Sequence, residues 1–144
     1  MTQRSKLRAG VGVAVLAAVA LGCTVPKPLT YPLTLTPPRD ATSEVQTHAG
    51  TAPAFTAVGR ARVVAASMSG VEPGCEVFRI AQVMWVSGGA PARAAIELRG
   101  FCDDSVEGAW YELTLEGDDQ LGWVVASATK SDICARGLSG ILCV

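Results

Sequence analysis

Apolar and polar residues alternate through much of the second half of the chain. Tyr111, Leu113 and Leu115 take turns with Glu112, Thr114 and Glu116. A period of two marks a half-buried β-strand. Segments 57–67, 75–86, 92–101, 109–116 and 121–129 are rich in Val, Ile, Phe, Tyr, Trp and Thr, with turn residues between them. They predict a mainly β domain over residues 55–144, a small antiparallel meander of four to five strands. No window carries a convincing helical stripe. The Ala-rich segment AVGRARVVAASM is the exception in composition and suits a helix as well as a strand.

Gly88-Gly89 between two apolar runs suggests a two-residue hairpin loop, whose favoured turn needs positive φ at both positions. Pairing Ser87 with Ala90 sets the register. Trp85 then opposes Ala92, Val83 opposes Ala94, Ala81 opposes Ile96, and Cys75 opposes Cys102. One face becomes nearly all apolar, which a one-residue slip would reverse. Opposed strand residues lie within disulfide reach, so a Cys75–Cys102 bond is expected. Cys134 and Cys143 pair by elimination. A second hairpin runs through Gly117-Asp118-Asp119-Gln120. A three-residue loop there would put Trp123 and Val125 on the face of Leu115 and Leu113.

The 144 residues suffice for one domain, and a core of about ninety residues calls for staples. Ahead of the domain, residues 24–54 hold six of the eight prolines and seven threonines. Proline resists helix and central strand alike, so this stretch reads as an extended Pro/Thr-rich tether. Tyr31, Leu33 and Leu35 alternate with Pro32, Thr34 and Thr36, which offers one edge strand as the alternative.

Residues 1–8 carry Arg4, Lys6 and Arg8 and no acid; residues 9–22 are fourteen uncharged small and apolar residues. As a helix they would rise only about 21 Å, short of a bilayer core. A basic start followed by a short apolar run is the layout of a secretory signal peptide. The sequence Ala20-Leu21-Gly22-Cys23 that follows resembles the lipobox of bacterial lipoproteins. The resemblance covers residues 1–23 and implies cleavage before Cys23, with lipid on its sulfur and often its amine. It departs from the commonest pattern at Ala20 and Leu21. Cleavage after Ala20 by an ordinary signal peptidase, or an uncut anchor, are the competing readings. Cysteine parity favours the lipobox: removing Cys23 from five leaves four that pair fully. The expected organisation is a signal peptide over 1–22, a lipidated cysteine and tether over 23–54, and the domain over 55–144. The protein is expected in the bacterial cell envelope, held on the extracytoplasmic side of a membrane through lipid on Cys23.

Without Arg4, Lys6 and Arg8, nine bases face thirteen acids, a net charge of −4. No nucleic-acid partner is expected from that balance. His48, the single histidine, lies in the tether, so a histidine-based nucleophile is missing from the domain. Cysteine spacing fits no zinc ribbon, and the acids lack calcium-loop spacing. Hence no catalytic residue, metal or cofactor is expected. Seven acids and no base lie between Gly100 and Thr129, whereas residues 60–99 hold five arginines against three acids. Asp103, Asp104 and Glu107, with Trp110 on the face opposite Tyr111, form the candidate surface for a protein partner. Trp85 and Trp123 fall on expected core faces.

A meander ending in Gly122-Trp123-Val124-Val125 is similar to the last strands of NTF2-like and cystatin-like domains, an unspecific four-residue match. The resemblance implies the alternative fold, α+β with one helix packed on a curved sheet, a helix that only residues 57–70 could supply. The expected function is a membrane-anchored binding or structural module without a catalytic site. The alternatives are an accessory subunit of an envelope transport or secretion complex, and a hydrolase using carboxylates among Asp103, Asp104 and Glu107.

Overall fold

Ala92, Ala94, Ile96 and Leu98 are buried on one face of a strand, as their alternation requires, in a computed structural model that describes residues 33–71 and 77–144. The strand, β4 (Ala92–Arg99), belongs to a continuous antiparallel meander: β3 (Phe78–Val86), β4, β5 (Val106–Asp118) and β6 (Gly122–Cys134). Two-residue strands flank it, β1 (Arg39–Asp40) beside β6 and β2 (Gly70–Val71) beside β3, which gives the order β1-β6-β5-β4-β3-β2. A second small sheet pairs β7 (Leu138–Ser139) with β8 (Leu142–Cys143). The fold is mainly β, as its alternation predicts.

Residues 57–68 are a helix rather than a first strand. This helix, α2 (Ala57–Met68), starts at Thr56, whose Oγ1 accepts from the Gly59 amide at 2.9 Å. Its buried residues Ala61, Val64, Ala65 and Met68 stand at i, i+3, i+4 and i+7. The stripe is present after all; two of its four members are alanines, which occur as readily on an exposed face, so it hardly stands out. The helix packs on the core face of the sheet with Ile96, Leu98, Tyr111, Leu113 and Leu115.

The expected tether is the larger correction. Residues 33–54 fold onto the sheet. Leu35 bridges Ile133, the Thr36 amide donates to the Asp132 carbonyl at 3.0 Å, and the Cys134 amide donates to the Thr34 carbonyl at 2.9 Å. Of the edge strand offered over residues 31–36, Leu35 makes one isolated bridge, the two-residue strand forms further on at Arg39–Asp40, and Tyr31 and Pro32 lie outside the described residues. Then comes α1 (Thr42–Ala49), which buries Val45 completely and carries His48 on its exposed side. Asp40 Oδ1 accepts from the Thr42 amide and hydroxyl at 3.1 and 2.7 Å, holding the first turn. At the other end Arg60, 1% exposed, donates to the carbonyls of Ala49, Gly50 and Ala52. The guanidinium thus serves the carbonyls that a helix end leaves unpaired.

The first hairpin keeps its faces but shifts its register. Ala81 opposes Leu98 and Val83 opposes Ile96, two residues from the Gly88-Gly89 expectation. The Ser87 amide donates to the Arg93 carbonyl, and the Ser87 hydroxyl accepts from the Arg93 amide. That closing pair leaves a longer loop, in which only Gly89 has positive φ. A bulge at Met84 then turns Trp85 outward, 42% exposed, and puts Val86 against the core. The expected core position of Trp85 is lost to that bulge. The second hairpin follows expectation: Asp118 opposes Gly122 across three residues, and Trp123 and Val125 join Leu113 and Leu115 in the core.

Candidate functional site

The displaced register carries away the argument that set Cys75 across from Cys102. Cys102 is disulfide-bonded; Cys75, like Cys23, lies outside the described residues. Cys134 and Cys143 are bonded at 2.07 Å, with their Cα atoms 5.0 Å apart. This bridge ties the β7–β8 hairpin to the end of β6.

Each residue of the expected partner surface has a local neighbour. Asp103 Oδ1 accepts from the Ser105 hydroxyl at 2.6 Å and from the amides of Ser105 and Val106, which holds its carboxyl below the ordinary range. Asp104 lies 3.7 Å from Arg136 across exposed surface. Glu107 pairs with Arg99, which also holds Glu97. Trp110 stands between Glu97 and Ser131 on the sheet face away from the helices, with its Nε1 3.4 Å from Glu112 Oε1. Among the described residues no three His, Cys, Asp or Glu side chains are placed to hold a metal ion.

The sequence pattern nominates neither of two further surface features as a binding site. On the same outer face, Phe78, Ile80, Met84 and Trp85 of β3 are 42 to 59% exposed. The outer face is therefore apolar at one side and charged in the middle. The second feature lies where the long strands end near Cys134. A groove of about 590 Å³ opens between Thr36–Arg39, Ser105–Val106 and Ile141–Cys143. Its rim is apolar and its polar element is the bidentate pair of Arg39 and Asp132, at 2.8 and 2.9 Å. The signal available in advance was the run GLSGILCV, residues 137–144, which has no acidic or basic side chain among Asp, Glu, Lys, Arg and His.

Behind this pair, on the helix side, Tyr111 donates to Glu44 Oε1 at 2.8 Å and Lys130 Nζ donates to the same oxygen at 3.1 Å. Burial first, then the Glu44 carboxylate, pushes the Tyr111 phenol up. Burial alone would raise Glu44, but the hydrogen bonds from Tyr111 and Lys130 and the Lys130 charge outweigh it and hold the carboxyl down. The phenol keeps its proton and Glu44 stays ionised. The cluster docks α1 on β5 and β6, and Tyr111 is 1% exposed. Among the described residues no helix is long and apolar enough to cross a membrane. Searches of protein-family models, curated proteins and solved structures find no match to this chain.

Proposed function

We propose that the protein is an extracytoplasmic lipoprotein, anchored by lipid on Cys23, that presents a small β-rich binding or structural module in the bacterial cell envelope. The observation that carries the reading is the basic start, short apolar run and Leu21-Gly22-Cys23 of the first 23 residues. Two structural facts support it. The Cys134–Cys143 bond suits an oxidising compartment. The Thr34 carbonyl accepts from the Cys134 amide, so the domain is held to β6 within eleven residues of Cys23. The intact mass of protein extracted from membranes, before and after reduction and alkylation, tests it. The reading expects a start at Cys23 with acyl mass, and four cysteines labelled only after reduction. A start at Leu21 without lipid, or an intact Met1 chain, refutes it.

Service as an accessory subunit of an envelope complex is the second reading. Its support is the exposed apolar row Phe78, Ile80, Met84 and Trp85, on the same outer face as Trp110 but across β4 from it. A co-purifying partner lost in both Ile80→Glu and Trp110→Ala, with the fold intact, is its expected result. The hydrolase reading has less to stand on, because Asp103, Asp104 and Glu107 each have a separate local neighbour.

A further inference from the structure

Four of the eight residues in 137–144 are apolar side chains facing solvent: Leu138 40%, Ile141 67%, Leu142 68% and Val144 48% exposed. Together they leave on the order of 400 Å² of apolar surface, as much as the largest patch on many whole domains. They have little freedom to fold inward. The Cys134–Cys143 bond fixes one side of the hairpin, and the Val144 amide donates to the Gly137 carbonyl at 3.1 Å on the other.

The place of this hairpin in the fold decides what can cover it. The Cys134 amide holds the Thr34 carbonyl, so the described chain begins at the same end of the sheet as the hairpin. From Cys23 to Leu33 the chain spans ten residue steps, at most about 35 Å when fully extended. A second apolar tip, Phe55 and Leu121 at 88% and 81% exposure, lies beside the β5–β6 turn. That turn is twelve residues along β6 from Cys134, about 40 Å away. Both tips are apolar, and only the hairpin shares an end with the start of the described chain.

We propose that the β7–β8 hairpin is a second membrane contact, with Leu138, Ile141 and Leu142 seated in the interfacial layer of the bilayer that holds Cys23. This rests on the lipoprotein reading and adds an orientation to it. The contact is apolar rather than electrostatic. Asp103, Asp104 and Glu107 lie at the same end, with Arg136 beside Asp104 and Arg99 on Glu107. Binding therefore does not depend on anionic lipid.

The test uses the full lipid-bearing protein in vesicles of phosphatidylcholine, with and without phosphatidylglycerol, whose acyl chains carry bromine as a fluorescence quencher. Leu142→Trp and Leu121→Trp are compared with the wild type to subtract its three native tryptophans. The expected result is that Leu142→Trp loses most of its added emission in both lipids, whereas Leu121→Trp keeps its own. Ile141→Trp replaces Leu142→Trp if that variant misfolds. Floating, acylated protein whose hairpin tryptophan stays bright overturns the hairpin contact and leaves the anchor standing. Quenching at Leu121→Trp alone has the same meaning. Protein that carries no acyl mass and does not float overturns both.

Discussion

The Tyr111 hydroxyl and the Glu44 carboxylate meet at 2.8 Å across the seam between α1 and β5. Sixty-seven positions separate them in sequence, so the bond fixes a helix that has only one fully buried apolar side chain, Val45. Removing the phenol in Tyr111→Phe leaves Glu44 its lysine, and the loss of stability is about 1 kcal/mol. Lys130→Met loses a similar amount. Urea unfolding of both variants and of the double variant gives the coupling, expected to be favourable and below the sum of the singles.

Acid weakens the same seam. Glu44 has its folded pKa held below the ordinary value, so its contribution is complete above about pH 4.3 and is lost as pH falls through the lower folded pKa. With the side chain 39% exposed, solvent screening keeps the effect below about 1 kcal/mol. Asp40, Asp103 and Asp118 are held down by hydrogen bonds in their turns and act in the same direction. The urea midpoint falls between pH 7 and pH 3 in the wild type, and falls less in Glu44→Gln.

Among the described residues no carboxylate pairs with Arg60; three carbonyls of residues 49–52 hold it. Arg60→Met leaves those carbonyls without their donor and is expected to lose about 3 kcal/mol. Arg60→Lys recovers only part, because an ammonium does not offer a planar fork. Amide exchange in α1 rises in both variants, more in Arg60→Met, while the β4–β5 ladder keeps its protection.

Two glycines of the hairpin turns separate by backbone geometry. A Cβ on Gly117, at φ +137°, would fall on the Gly122 carbonyl oxygen. Gly88 has open space around it and ordinary φ. Gly117→Ala is expected to destabilise by about 2 kcal/mol or more, and Gly88→Ala to stay within about 0.5 kcal/mol of wild type. Thermal unfolding of the two alanine variants checks the contrast.

Opening the Cys134–Cys143 ring, whose cysteines are nine positions apart, removes at most about 2.5 kcal/mol on the chain-entropy account. The Cys134→Ala/Cys143→Ala variant lowers the urea midpoint accordingly. Proteolysis within residues 137–144 becomes faster, because the hairpin loses its tie to β6.

The meander was legible because period-two alternation needs only side-chain polarity, and Trp123 shows it working through a correct three-residue loop. Trp85 shows its limit. A bulge at Met84 inverts everything beyond it, and no residue type announces a bulge. The helix at 57–68 hid behind alanine, which packs and solvates about equally well. The segment 33–54 hid for a different reason. Its order comes from Leu35, Asp40, Thr42 and Glu44 meeting β6 or β5 far along the chain, whereas its prolines speak only for the local backbone. Of the candidate surface, Trp110 was placed on the correct face. The hairpin count also puts Phe78, Ile80 and Met84 on the outer face, where they are exposed; what it lacks is Trp85, which the bulge adds to that row.

The bridge between Leu35 and Ile133 sets a timetable. A growing chain makes residues 33–49 well before their strand partners in 125–134; Ile133 and Lys130 follow Leu35 and Arg39 by more than ninety positions. Until β6 is complete, α1 has only α2 and Tyr111 of β5 to rest on, and contacts of such long sequence separation form slowly. The leading segment of the domain is thus a late guest in its own fold until the last long strand comes home.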